Sequence, residues 1–203
     1  MTLNSFPFPL KSLSLACLAA LTLFACDDEQ SHAPEDVLRL EKGLRIVHQD
    51  DTVAFLGLWS DNTPENMFVV GGSTDLDGGL ILRRAADETF KPESIPLGPL
   101  LWWIDGIDTD HLWAVGDRGR IIRRRDGVWL DESPNLDEKM VLWGVLAISP
   151  TNIWAVGGSV RRNGPKAVVL RSNGDGMWRR IESNVFPENL NFYKAWAADD
   201  GTV

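Results

Sequence analysis

Seven arginines crowd into two short stretches: Arg118, Arg120, Arg123, Arg124 and Arg125, then Arg161 and Arg162. Guanidinium groups this close together suit a carboxylate ligand or an acidic partner, gripped through paired N–H donors. Arg83, Arg123 and Arg171 share one position of a repeat set out below and are assigned to structure. Arg118, Arg120 and Arg124 are not shared across the repeats. They are the candidate partner-binding residues. Nine Trp could form a sugar-stacking platform. Trp113 and Trp154 recur at one repeat position, however, and are expected in the core with Trp129 and Trp178. Trp102 and Trp103 are adjacent, so on one strand they face opposite sides. One of the pair is expected exposed or at a contact between sheets, and Trp103 joins the candidate binding residues. Asp75, Asp77 and the acids of residues 105–110 could offer oxygens to calcium, but neither group follows the spacing of an EF-hand loop. They read as solvated turns. His32, His48 and His111 are scattered without metal-ligand spacing. Tyr193 is the only Tyr, and there is no Gly-x-Ser-x-Gly, phosphate loop or His-centred triad. No catalytic residue, metal or cofactor is assigned.

The elements that must position these groups follow from composition and repetition. The 203 residues are 44% hydrophobic and 24% charged, as in a soluble globular protein rather than a disordered or multi-span one. A net charge of −9 excludes nucleic acid or an anionic lipid surface as the main partner, because both require a basic face. One phrase occurs three times: Met67-Phe68-Val69-Val70-Gly71, Leu112-Trp113-Ala114-Val115-Gly116 and Ile153-Trp154-Ala155-Val156-Gly157. An apolar stretch containing Trp precedes each, around Trp59, Trp102 and Trp143. A third apolar run follows, ending at Arg83, Arg123 or Arg171. An aromatic then returns at Phe90, Trp129 or Trp178. Asp77-Gly78-Gly79, Asp126-Gly127 and Asn173-Gly174 punctuate the runs with tight-turn chemistry. Four short strands every 40–50 residues describe the antiparallel blade of a β-propeller.

The predicted fold is therefore all-β, a partial propeller after an N-terminal signal helix. Its blades cover about residues 53–96, 99–137 and 141–186, and the first strand of a fourth lies at 192–203. Tyr193 takes the place held by Trp102 and Trp143 and is expected in the core. Closed propellers have about four to eight blades. The chain thus reads as a C-terminally truncated fragment, with residues 37–47 as the strand that would pair with the missing last blade. The alternative is a short chain that completes its ring by oligomerising.

The repeat phrase resembles the sialidase/Asp-box-related propeller repeats of secreted bacterial proteins, including relatives of the photosystem II assembly propeller. The resemblance covers roughly residues 53–203. The Asp-box proper is Ser/Thr-x-Asp-x-Gly-x-x-Trp; counted back from Trp178, its three leading places hold Arg171, Asn173 and Asp175. Sialidase chemistry would need an arginine triad, a Tyr nucleophile and a carboxylate acid, and these residues do not supply that set.

The N-terminus reads as an address. Lys11 is the only charge before Asp27, and residues 13–25 form an apolar run of 13, short of the ~20 that span a bilayer as a helix. Leu23-Phe24-Ala25-Cys26 resembles the bacterial lipobox, which implies cleavage before Cys26 and acylation of that residue. Cys17 departs with the signal at residues 1–25, so the mature chain keeps one Cys and no internal disulfide. Several acyl chains, palmitate among them, anchor a protein stably, each methylene contributing ~0.8 kcal/mol. Residues 26–36 are acidic and polar, a flexible tether. The expected function is a binding module in the bacterial cell envelope, anchored through Cys26 to membrane lipid and engaging an envelope protein or glycan. The alternative is a fragment of a carbohydrate-active enzyme whose catalytic residues lie on missing blades.

Overall fold

Among the described residues the apolar runs become twelve strands, and the turn residues between them become hairpins. A computed structural model describes residues 46–73, 77–159, 167–183 and 190–203. The signal segment, the tether, Cys26, residues 37–45, Asp75, Arg161 and Arg162 lie outside the described residues. The chain divides into Met1–Ile46 and a unit over Val47–Val203, and the description below concerns the second.

Strands β1 (Ala54–Ser60), β2 (Met67–Gly72), β3 (Gly79–Arg84) and β4 (Phe90–Pro92) form the first sheet. Strands β5 (Leu101–Gly106), β6 (Leu112–Gly116), β7 (Ile121–Arg125) and β8 (Val128–Asp131) form the second. The third comprises β9 (Val141–Ser149), β10 (Asn152–Gly158), β11 (Val168–Ser172) and β12 (Trp178–Arg180). Every pairing is antiparallel and every sheet is a meander in chain order. The protein is all-β, and a 3-10 turn at Pro64–Asn66 is the one helical element among the described residues.

Side-chain alternation along β6 explains how the sheets stack. Leu112 and Ala114 point to one face and Trp113 and Val115 to the other, and all four are fully buried. The first pair joins Trp59, Phe68, Val70 and Ile81 in a core between the first and second sheets. The second pair joins Leu142, Val145, Ile153 and Leu170 in a core between the second and third. A strand buried on both faces must be apolar throughout, hence the unbroken run of the repeat phrase. Each large side chain so buried contributes roughly 1.5–3 kcal/mol.

Two devices recur in all three sheets. Phe68 pairs across the strands with Arg83, Trp113 with Arg123, and Trp154 with Arg171. Each guanidinium lies over its partner's ring, 5.3, 5.0 and 5.2 Å from the centroid. The shared arginine is thus a lid on the shared aromatic. The first strand of each sheet also carries a β-bulge, with Leu56, Trp102 and Trp143 as the extra residues. The backbone at the start of the first strand swings close to the end of the second. A Cβ on Gly71, Gly116 or Gly157 would overlap the carbonyl oxygen of Ala54, Leu100 or Val141. This close approach is why the repeat phrase ends in Gly. Gly116→Ala is expected to cost about 3 kcal/mol, the upper end for overpacking, read as a lowered urea midpoint.

Residues 190–203 make no ladder among the described residues and lie over the face of the third sheet, where a Cβ on Gly144 would come within 2.7 Å of Tyr193 O. Phe192 donates its amide to Gly157 O at 3.3 Å. Phe192, Ala195, Trp196 and Val203 close a groove of about 440 Å³ over Trp154, Val156 and Val169.

Candidate functional site

The bulges set the geometry of the candidate site. A bulge interrupts strand alternation and re-aims the extra side chain, so Trp102 and Trp143 leave the two buried cores. Tyr193, at the equivalent place after the third repeat, follows them. The rings form a ladder: Trp102 to Trp143 at 4.7 Å between centroids and Trp143 to Tyr193 at 5.4 Å. Trp102 and Trp143 are half-buried. Tyr193 is 54% exposed, not a core residue, because no sheet covers its segment among the described residues.

Beside the ladder the turn at Asp117-Arg118-Gly119 rises next to residues 138–141. Together with Trp102 and Trp143 these enclose a cleft of about 420 Å³, lined also by Asp117, Arg118, Glu138 and Lys139. Trp102 Nε1 donates to Asp117 Oδ1 at 2.6 Å, which fixes ring and carboxylate together. Arg118 holds a left-handed φ of 59°, and its side chain is exposed.

The other candidate arginines point inward. Arg120 is 3% exposed and donates to the carbonyls of Pro96 and Pro99, clamping the segment that joins the first two sheets. Burial pushes its guanidinium below the usual range. Arg124 is buried between the same sheets, 3.6 Å from Glu93 and 3.1 Å from Asp110, with its guanidinium 5.3 Å from the Phe68 ring centre. It also donates to Thr109 O. The guanidinium donors of both are directed at groups inside the protein. Trp103 packs against the core between the second and third sheets. Of the four candidates, only Arg118 borders the cleft, and Trp102 takes the place given to Trp103. The bulge that decides between the two Trp is a property of strand pairing and leaves no mark on the composition of the strand.

Among the expected core aromatics, Trp113 and Trp129 are buried, at 0% and 3% exposure, whereas Trp154 and Trp178 are only half-buried. Trp154 faces away from the second sheet, toward the groove under residues 192–203. The acids of residues 105–110 are more than a solvated turn. Asp105 accepts the amide of Ala147 at 2.8 Å and links the second sheet to the third, and burial raises its pKa. Asp110 holds Arg124, while Asp108 contacts His111 Nδ1 at 2.8 Å. Glu93 accepts Trp129 Nε1 at 3.2 Å, a link that no motif announced. Among the described residues no group of three or more His, Cys, Asp or Glu is placed to hold a metal ion, and no helix is long and apolar enough to cross a membrane.

Lys194 is the functional-type residue that sequence reasoning passed over. The residue as a whole is exposed, but its ammonium lies 3.0 Å from the centre of the Trp103 ring and donates to Trp143 O at 3.2 Å. Burial of the ammonium pushes its pKa down to about 8. Near pH 8 Lys194 then carries far more free amine than an ordinary lysine with pKa ≈ 10.4. Acylation at pH 8 followed by mass spectrometry is expected to label Lys194 far faster than an unperturbed lysine. Trp103→Ala, which opens the ammonium to water, is expected to abolish that advantage.

Comparison of the chain with protein-family models, with curated proteins and with solved structures finds no match.

Proposed function

We propose that this chain is a lipid-anchored extracytoplasmic lipoprotein whose three sheets are successive blades of a β-propeller. It acts by binding, not catalysis, and takes a protein or glycan partner at the cleft beside Trp102 and Trp143. The carrying observation is the aromatic ladder: the second and third repeats and the segment after them each offer a ring at the same place, and the two Trp rings are half-buried beside charged side chains. Rings serving only as core would be covered, as Trp113 is.

The blade reading is supported by three meanders of one pattern, the first laying its aromatic face on the second and the second on the third. It is also supported by the close approach of first strands: a Cβ on Gly57 of β1 would come within 3.1 Å of Trp103 Cα on β5. The anchor reading is supported by the short apolar run and by Leu23-Phe24-Ala25-Cys26.

Two experiments in a bacterial host test this function. Labelled palmitate is expected to enter the wild-type chain and not Cys26→Ala, with the wild type in the membrane fraction. Equal labelling of both overturns the anchor. A photo-crosslinker at position 118 is expected to capture an envelope component, and one at the buried position 120 is not. Equal yields from the two positions overturn the binding surface.

A further inference from the structure

We infer that the cleft beside the aromatic ladder is a binding site for an uncharged oligosaccharide. This inference rests on the binding-module reading above and narrows its partner to one chemical class. The cleft combines two tryptophan rings with Asp117, Arg118, Glu138 and Lys139. Its two carboxylates and two cations cancel, so it offers no net attraction to an anionic or a cationic ligand. What it does offer is acceptors and donors side by side over an aromatic wall.

A sugar hydroxyl is donor and acceptor at once. It bonds equally well to a carboxylate and to a guanidinium, while the C–H faces of the pyranose lie on the rings. The volume of about 420 Å³ falls within the range of about 300–1,000 Å³ typical of small-molecule sites. The polar wall is also preorganised. The Trp102 Nε1 bond to Asp117 sets one carboxylate against its ring. Gly119 N donates to Met140 O at 2.9 Å and ties the Arg118 turn to the segment carrying Glu138 and Lys139. Preorganised donors lower the ordering cost of binding. The ladder continues past the cleft through Tyr193, 5.4 Å from Trp143, so a chain of several sugars finds a further ring beyond the cleft. An apolar peptide would instead need a dry pocket, and the four charges of this cleft would have to be desolvated against it.

The test uses the full chain purified from membranes in detergent. Cellohexaose, chitohexaose, maltohexaose and laminarihexaose are titrated in turn by tryptophan fluorescence and calorimetry. At least one is expected to bind with Kd below about 1 mM, and to bind equally well in low and high salt because the ligand carries no charge. Trp102→Phe and Arg118→Ala are each expected to weaken it about tenfold while leaving the urea midpoint unchanged. Arg118 is exposed, so its variant folds even if Trp102 proves structural. Absence of binding by all four hexamers overturns the inference, as does binding that survives both substitutions. A protein captured at position 118 together with silent hexamers overturns the sugar assignment and leaves the binding module standing. Equal crosslinking at positions 118 and 120 overturns the module itself.

Discussion

Trp113→Ala is expected to lower the unfolding free energy by about 3–5 kcal/mol, the range for a large aromatic deleted from a core. Trp113 is fully buried between the second and third sheets, and its removal also leaves the Arg123 guanidinium without the ring it covers. A domain is stable by only about 5–15 kcal/mol in total, so this variant should melt at much lower urea or fail to accumulate. The control is Trp154→Ala. It removes the same residue type from the same repeat position, with the same arginine lid. Trp154 is only half-buried, and its Nε1 donates within its own strand to Asn152 at 3.0 Å. Its loss is expected to cost about 1 kcal/mol. Equal losses would mean that the third sheet's outer face is as well covered as the core. Urea titration by fluorescence, with both variants at one protein concentration, makes the comparison.

The second large effect separates two arginines six residues apart. Arg124→Ala is expected to destabilise by about 3–5 kcal/mol, because it leaves Glu93 uncompensated and strips the Phe68 ring of cover. Arg124→Met fills the space and is expected to recover part of that loss, since packing is one component and charge the other. Arg118→Ala changes an exposed turn residue and is expected to shift stability by under about 0.5 kcal/mol. Ala keeps the Cβ that is strained at φ 59° and Gly lacks it, so Arg118→Gly is expected to be the more stable of the two. A destabilised Arg118→Ala, or an indifferent Arg124→Ala, would reverse the roles given to them.

The contrast shows where reading along the chain stops. Arg118, Arg120 and Arg124 look alike in sequence, none of them shared by all three repeats. Their neighbours across the sheets separate them. Arg120 meets the Pro96 and Pro99 carbonyls and Arg124 meets Glu93, each more than 20 residues away. The same holds for Trp102 and Trp103, whose alternation is broken by a bulge defined only by pairing with β6. Lys194 is one of the few lysines of an acidic chain until it is placed over Trp103, some 90 residues earlier.

What the sequence determined by itself is everything that depends on short-range periodicity. The short apolar runs, the Asp-Gly and Asn-Gly turns and the thrice-repeated phrase dictate four-stranded antiparallel meanders, and the repeat position of the shared Arg marks it as structural. These follow because a strand's pattern is set by which faces it must bury, and a hairpin's turn by the φ angles its residues allow. The tertiary structure alone decided which tryptophan leaves the core, which arginine remains in water, and how residues 190–203 lie across the third sheet. Those outcomes depend on contacts between residues far apart in the chain. Bulge register, burial and desolvation are properties of the assembled sheets, with no counterpart in the spacing of one strand.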